Sequence, residues 1–357
     1  MKILYSVQAT GNGHISRAME LVPLLQHEAR VDVFLSGGNS SLQADLPIRF
    51  RSNGLSLYYN CSGGLDYRKM IRNISPFRIR KEIRELPVEQ YDLVINDFEY
   101  ITAAACRLKQ VPSIQVGHQA SFQSKKTPRP DTTSRLGEWI LQNYAKASHY
   151  LGLHFQRYDQ FILPPVIKAE IREARTVDHG HITVYLPSWC EHQLRAVFSR
   201  FPGHRFEIFS RETRHRREEK NLVWLPVEKA GFNQSFIHCH GIITGAGFET
   251  PAEALALRKK MICIPIRGQY EQICNAAALK KLGVTCLDKI DDDFPDAFNS
   301  WMDSTGCPDI NIPDVLPELV DQIFAIHSSM PPQRKRLAKY RSANQEDLLP
   351  IDQLASA

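Results

Sequence analysis

Short apolar runs alternate with amphipathic stretches along the first half of the chain. Residues 2–7 form a β-rich run, and a glycine loop at 9–13 follows it. Ile15, Met19, Val22 and Leu25 then recur at helical spacing, which predicts a helix over 15–26. A second strand is predicted at 31–35, ended by Gly37 and Gly38, with further short strands at 91–95 and 113–116. Strands that alternate with helices predict a parallel sheet covered on both faces.

Leu163-Pro164-Pro165 is the predicted boundary, because two prolines fix φ and stiffen the connector. Beyond it the pattern restarts: strands at 181–186, 205–209, 241–244 and 261–265, and helices at 191–200 and 250–257. The expected fold class is therefore α/β, with one unit over 1–163 and a second over 164–330 facing each other across a ligand cleft. Residues 211–220 are nearly all charged and read as a solvated loop, and 331–357 read as a helix end and loose tail.

With 43% hydrophobic and 23% charged residues in 357, the chain has ordinary globular composition, and its net charge of +5 is too small to imply nucleic acid. No apolar run approaches the ~20 residues that span a bilayer. Cys61, Cys106, Cys190, Cys239, Cys263, Cys274, Cys286 and Cys307 lack paired short spacing, so reduced thiols in a cytoplasmic protein are expected.

Two strand–glycine–helix junctions can bind an anion through helix-start N–H groups. The first contains Gly11, Asn12, Gly13 and His14. The second runs Thr244-Gly245-Ala246-Gly247-Phe248-Glu249-Thr250-Pro251-Ala252-Glu253, where Thr250 can cap a helix opened by Pro251 and Glu253 stands at capping-box spacing. A plain tight connection is the alternative for the first loop, and a capping role the alternative for Glu253. The first loop imitates a dinucleotide fingerprint poorly, since Ser16 replaces the third glycine and Ser36-Gly37-Gly38 offers no acidic residue to a ribose. No Gly-Lys-Ser/Thr triplet follows either loop, which disfavours ATP hydrolysis.

Residues 242–255, with Ile264-Pro265-Ile266-Arg267-Gly268-Gln269-Tyr270-Glu271-Gln272 and Asn275-Ala276, resemble the donor-binding domain of the GT-B glycosyltransferases. The similarity is to the branch holding the UDP-glycosyltransferases and the peptidoglycan GlcNAc transferase. It implies two Rossmann-like domains, a nucleotide-sugar donor (UDP-hexose by analogy) and transfer to an acceptor hydroxyl, inverting, with no metal and no other cofactor. On that resemblance Gly245, Gly247, Phe248, Glu249 and Thr250 hold the diphosphate and Glu253 the ribose. Glu271 and Gln272 grip the sugar, and Ser188 is a further phosphate contact. Many relatives carry a histidine where this chain has Gly245; Arg267 is the candidate replacement charge, with a solvated arginine as the alternative. His14 is the expected general base, with an acceptor contact or a helix-start residue as the alternative. Asp97, which orients it or binds acceptor, and His118 are the other catalytic candidates, each with an ordinary loop-end polar group as the alternative.

The acceptor is not specified. The candidates are a small molecule, a glycan or a lipid-linked acceptor: Arg68, Lys69, Arg72, Arg78, Arg80, Lys81 and Arg84 are interleaved with Met70, Ile71, Ile74, Phe77 and Ile79, a pattern that suits docking on an anionic membrane, holding a lipid-phosphate acceptor, or a charged helix covering the first unit. His238-Cys239-His240 alternate faces if extended and make a poor metal site. The rival activities are a nucleotide-sugar 2-epimerase, which would show an epimer without acceptor, and a non-catalytic nucleotide-sugar sensor, which donor hydrolysis or transfer would exclude.

Overall fold

The β-rich runs before residue 163 pair into one all-parallel sheet because their side chains are apolar on both faces. In the first strand Ile3, Leu4, Tyr5 and Val7 are all buried. The structure, a computed structural model, describes residues 1–9, 12–37, 45–54, 63–64, 72, 75–304 and 306–330. Strands β1 (Lys2–Gln8), β2 (Arg30–Ser36), β3 (Ile48–Ser52), β4 (Leu93–Asp97), β5 (Ser113–Gly117), β6 (His149–Leu153) and β7 (Ile162–Leu163) lie in the order β3-β2-β1-β4-β5-β6-β7. Helices α1 (Asn12–Glu28), α2 (Pro76–Glu85), α3 (Tyr100–Leu108) and α4 (Arg135–Asn143) accompany this sheet.

The second unit repeats the plan. It comprises β8 (Ile182–Tyr185), β9 (Phe206–Ser210), β10 (Arg217–Glu219), β11 (Leu222–Pro226), β12 (Gly241–Gly245), β13 (Lys260–Ile264) and β14 (Thr285–Cys286). Their order is β10-β11-β9-β8-β12-β13-β14, parallel except for β10. Its helices are α5 (Ala169–Arg172), α6 (Glu191–Phe198), α7 (Lys229–His238), α8 (Glu249–Ala256), α9 (Tyr270–Lys281), α10 (Phe294–Asp303) and α11 (Leu316–Ser329). This is the two-sheet architecture that the resemblance implies. Helix α11 follows the second sheet in sequence but packs against α1 and β6 of the first.

Two local expectations change, and one stated alternative is met. Within 211–220, Arg217–Glu219 forms edge strand β10, because Arg217 pairs with Glu191 and Glu219 and lies 5.3 Å over the Trp224 ring. Helix α2 covers the first sheet: Ile79 and Ile83 are buried in the cluster containing Leu4, Phe34 and Val94, while Phe77 is 86% exposed beside exposed Arg80, Lys81 and Arg84. Most of the basic segment before Ser75, and the tail from 331, lie outside the described residues. Cys190 is disulfide-bonded, against the expectation of reduced thiols, whereas Cys106, Cys239, Cys263, Cys274, Cys286 and Cys307 are free.

The two units share one continuous apolar core that runs from Ile15 and Leu25 through Phe155 and Ile167 to Phe248 and Leu255. Beside it, α4 meets α9. A methyl group on Gly137 would overlap the Tyr270 ring, and the Tyr270 hydroxyl donates to Glu138 Oε1 at 2.8 Å. Close packing of this kind fixes the register of one unit on the other.

Candidate active site

In each sheet the strand order reverses direction at one point, and loops beyond the carboxyl ends of the strands there form a crevice. In the first sheet that point lies between β1 and β4, where Val7 is aligned with Asp97. In the second it lies between β8 and β12. The β1–α1 and β12–α8 junctions come together across the gap.

His14 is in the first turn of α1, and its Nδ1 donates to Asp97 Oδ1 at 2.8 Å. Asp97 ends β4 with its carboxylate wholly buried. Arg17, three residues after His14 and so on the same helical face, donates through Nε to Asp97 Oδ2 at 3.0 Å and through Nη2 to Oδ1 at 2.8 Å. Its Nη2 also stands 3.1 Å from His14 Nδ1, where two donors share one carboxylate. Its Nη1 crosses to the second unit and donates to Glu249 Oε1 at 2.5 Å. Gly117, at φ +145, ends the neighbouring β5; a Cβ there would approach Asp97 Oδ1 to 2.8 Å, so only glycine leaves room for this cluster.

Burial works to raise the Asp97 pKa, but Arg17 and His14 overcome it and hold the carboxyl below its ordinary range. Burial likewise works against charge on His14, yet Asp97, with help from Glu249, outweighs both burial and Arg17 and raises its pKa above 6.5. Two carboxylates against one guanidinium leave an excess of negative charge that a protonated imidazole neutralises.

On the second side, α8 begins at Glu249, with Phe248 preceding it. Thr250 is therefore the second helical residue and not the cap, and Glu253 does not close a capping box. Its buried carboxylate pairs with Lys168 of the connector at 3.0 Å, and burial, only partly offset by Lys168, lifts its pKa to about 7. A side chain added at Gly247 would meet nothing within 4 Å, so the loop is open there; a Cβ at Gly245 would stand 3.5 Å from Gln272 Oε1. Gln272 spends that oxygen on the Ile266 N–H at 2.9 Å, which holds the β13–α9 turn. Glu271 receives Gln119 Nε2 at 3.0 Å from the other unit.

His118 is 1% exposed and wedged between the units, stacked on Phe248 with ring centroids 4.0 Å apart. Its Nδ1 faces Leu153 O at 3.0 Å and its Nε2 faces Asn275 Oδ1 at 2.7 Å. Both partners are acceptors, so satisfying both requires two protons, which burial opposes by pushing the pKa below 6.5. This geometry bridges the units and does not present the ring to the cleft. Ser188 is buried, and its carbonyl accepts the Gly63 N–H at 2.9 Å; Arg267 is exposed, and its own N–H donates to Gly63 O at 2.7 Å. Asn12 and Gly13 open α1, with Gly13 so close to Glu249 that a methyl group would overlap its carboxylate. Gly11 lies outside the described residues.

Arg17, Lys168 and Gln119 were not singled out in the sequence, and Asn275 entered there only as part of the family motif, with no role. Only Arg17 carried a local signal, its three-residue spacing from His14. His238, Cys239 and His240 have separate partners: the His238 ring stacks on His179, the Cys239 thiol donates to Phe236 O, and His240 pairs with Asp178. Among the described residues no group of three His, Cys, Asp or Glu side chains is gathered as a metal site, and no helix is long and apolar enough to cross a membrane.

No curated protein matches the sequence. Among solved structures, UGT2 of Phytolacca americana, complexed with UDP-2fluoro-glucose and pterostilbene, aligns with a TM-score of 0.55 and 15% identity over 96% of this chain and 99% of that one. UGT89C1 of Arabidopsis thaliana, complexed with UDP, aligns at 0.53 and 13% over 95% and 98%. The glycosyltransferase SnogD from Streptomyces nogalater aligns at 0.51 and 17% over 96% and 99%. Residues 1–303 match the family described as Glycosyl transferase family 1, so the chain belongs to that family and is a glycosyltransferase of the GT-B fold.

Proposed function

We propose that this enzyme moves a hexose from a UDP-sugar to an acceptor hydroxyl with inversion, and that it needs neither metal nor other cofactor. The observation that carries the reading is His14 held through Nδ1 by buried Asp97 at the cleft, opposite the open Gly247 loop that leads into α8. With its Nδ1 proton committed to Asp97, His14 has Nε2 to accept the proton of the acceptor hydroxyl as its oxygen attacks the anomeric carbon. The bond from that carbon to the diphosphate breaks, and the leaving negative charge is stabilised by N–H groups and the dipole at the start of α8.

Gly245, Gly247, Phe248 and Thr250 line the diphosphate position in this reading, and Glu253 accepts from the ribose hydroxyls. Glu271, with the amide of Gln272, addresses the sugar in this reading, and Ser188 and Arg267, both bonded to Gly63, are further donor contacts. UDP is favoured because the two plant neighbours above were captured with UDP or a UDP-sugar analogue. The exposed face of α2, with Phe77 beside Arg80, Lys81 and Arg84, supports peripheral contact with an anionic membrane on the cytoplasmic side.

A thermal-shift panel of nucleoside diphosphates and their sugars, followed by product analysis with the stabilising donor, tests the reading. Stabilisation by UDP-hexoses and a product of inverted anomeric configuration are expected. A retained configuration, or an epimerised donor without acceptor, would overturn it. Failure to sediment with anionic vesicles at low salt would remove the membrane contact alone.

A further inference from the structure

Arg17 is the most completely enclosed cation of the site, with a side chain 2% exposed, yet it belongs to neither the donor loop nor the acceptor opening. It spends Nε and Nη2 on both oxygens of Asp97 and Nη1 on Glu249 of the other unit. The charged and titratable groups facing His14 are thus Asp97 from β4, Arg17 from its own helix, Glu249 from α8, and the buried Tyr5 hydroxyl of β1 beside Asp97 and Arg17.

We propose that Arg17 is a positioning residue that ties the strength of the His14 base to the seating of the second unit. Two functions meet in the one guanidinium. Its paired bonds fix the Asp97 plane so that Oδ1 receives His14 Nδ1, and its positive charge weakens the proton affinity of His14. Glu249 offsets that charge, and it reaches Arg17 only because α8 is docked against the start of α1, where Gly13 leaves space for its carboxylate. Docking of the donor-binding unit therefore makes the imidazole a stronger base. The inference rests on the reading of His14 as the base for its catalytic consequence, but not for its electrostatic content.

The test measures the His14 imidazole titration by NMR in the full-length protein, beside the pH profile of kcat. Glu249→Gln should lower the His14 midpoint and move the acid limb of the profile to lower pH. Arg17→Gln should move both the other way, and Arg17→Lys, which keeps the charge, should restore the midpoint while kcat stays low because the fork to Asp97 is lost. An unchanged His14 midpoint in Glu249→Gln would overturn the proposal, and this variant leaves the buried Arg17–Asp97 pair intact if Arg17→Gln does not fold. A midpoint that moves while the acid limb stays fixed would uphold the coupling and sink the assignment of His14 as base.

Discussion

The two glycine junctions look alike in sequence and serve opposite ends in the structure. The β1–α1 junction is filled: Gly13 abuts a carboxylate from the other unit, and His14, Arg17 and Asp97 form a closed charge cluster. The β12–α8 junction is open at Gly247 and offers backbone, not side chains. One glycine makes room for a protein group and the other faces open space. A glycine at a helix start therefore cannot be read as an anion site until what stands in front of it is known.

Removing the base should have the largest effect. His14→Ala is expected to lower kcat by about 10²–10⁴-fold while calorimetric affinity for the nucleotide stays nearly intact; near-normal turnover would remove the base from the first junction. In the proposed mechanism the neutral imidazole is the active form, and because the His14 pKa is raised, wild-type activity should rise with pH through a midpoint above 6.5.

On the open side, Glu253→Ala should weaken binding of the nucleotide-sugar by about tenfold to a hundredfold, the worth of hydrogen bonds to a charged group. Because the Glu253 pKa is lifted to about 7, the ionised acceptor is lost as pH falls through that value, and the loss on mutation should be larger at pH 8 than at pH 6. Affinity independent of residue 253 at both pH values would return the carboxylate to a purely structural pairing with Lys168.

Smaller effects compare the glycines directly. Gly13→Ala must push the end of the Glu249 side chain aside, so about 1 kcal/mol of stability should go in urea melts, with loss of the Arg17–Glu249 pair. Gly247→Ala, with open space around it, should change stability by no more than about 0.5 kcal/mol while reducing donor affinity. Equal destabilisation by the two would erase the distinction between the filled and open junctions.

The alternation of strands and helices and the helices after both glycine loops were legible because each follows from patterns a few residues long. Observed bounds such as Leu93–Asp97 and Lys260–Ile264 differ from the expected 91–95 and 261–265 by only one or two residues. Sequence order also put His14 at the start of the first helix and Asp97 at a strand end, where a parallel sheet gathers its chemistry. Local pattern failed at 217–219, where charged residues form an edge strand because Arg217 found Glu191 and Trp224.

What the amino-acid order determined by itself was the set of parts: two α/β sheets, two glycine-led helix starts, and the acidic and histidine residues at their mouths. Only the tertiary structure decided which parts meet. Arg17 reaches Glu249 across 232 positions and His118 reaches Asn275 across 157. At such separations the pairing is set by how two finished sheets pack, which no local periodicity encodes. The same packing took His118 out of the cleft, gave Glu253 to Lys168 and left Gly247 open.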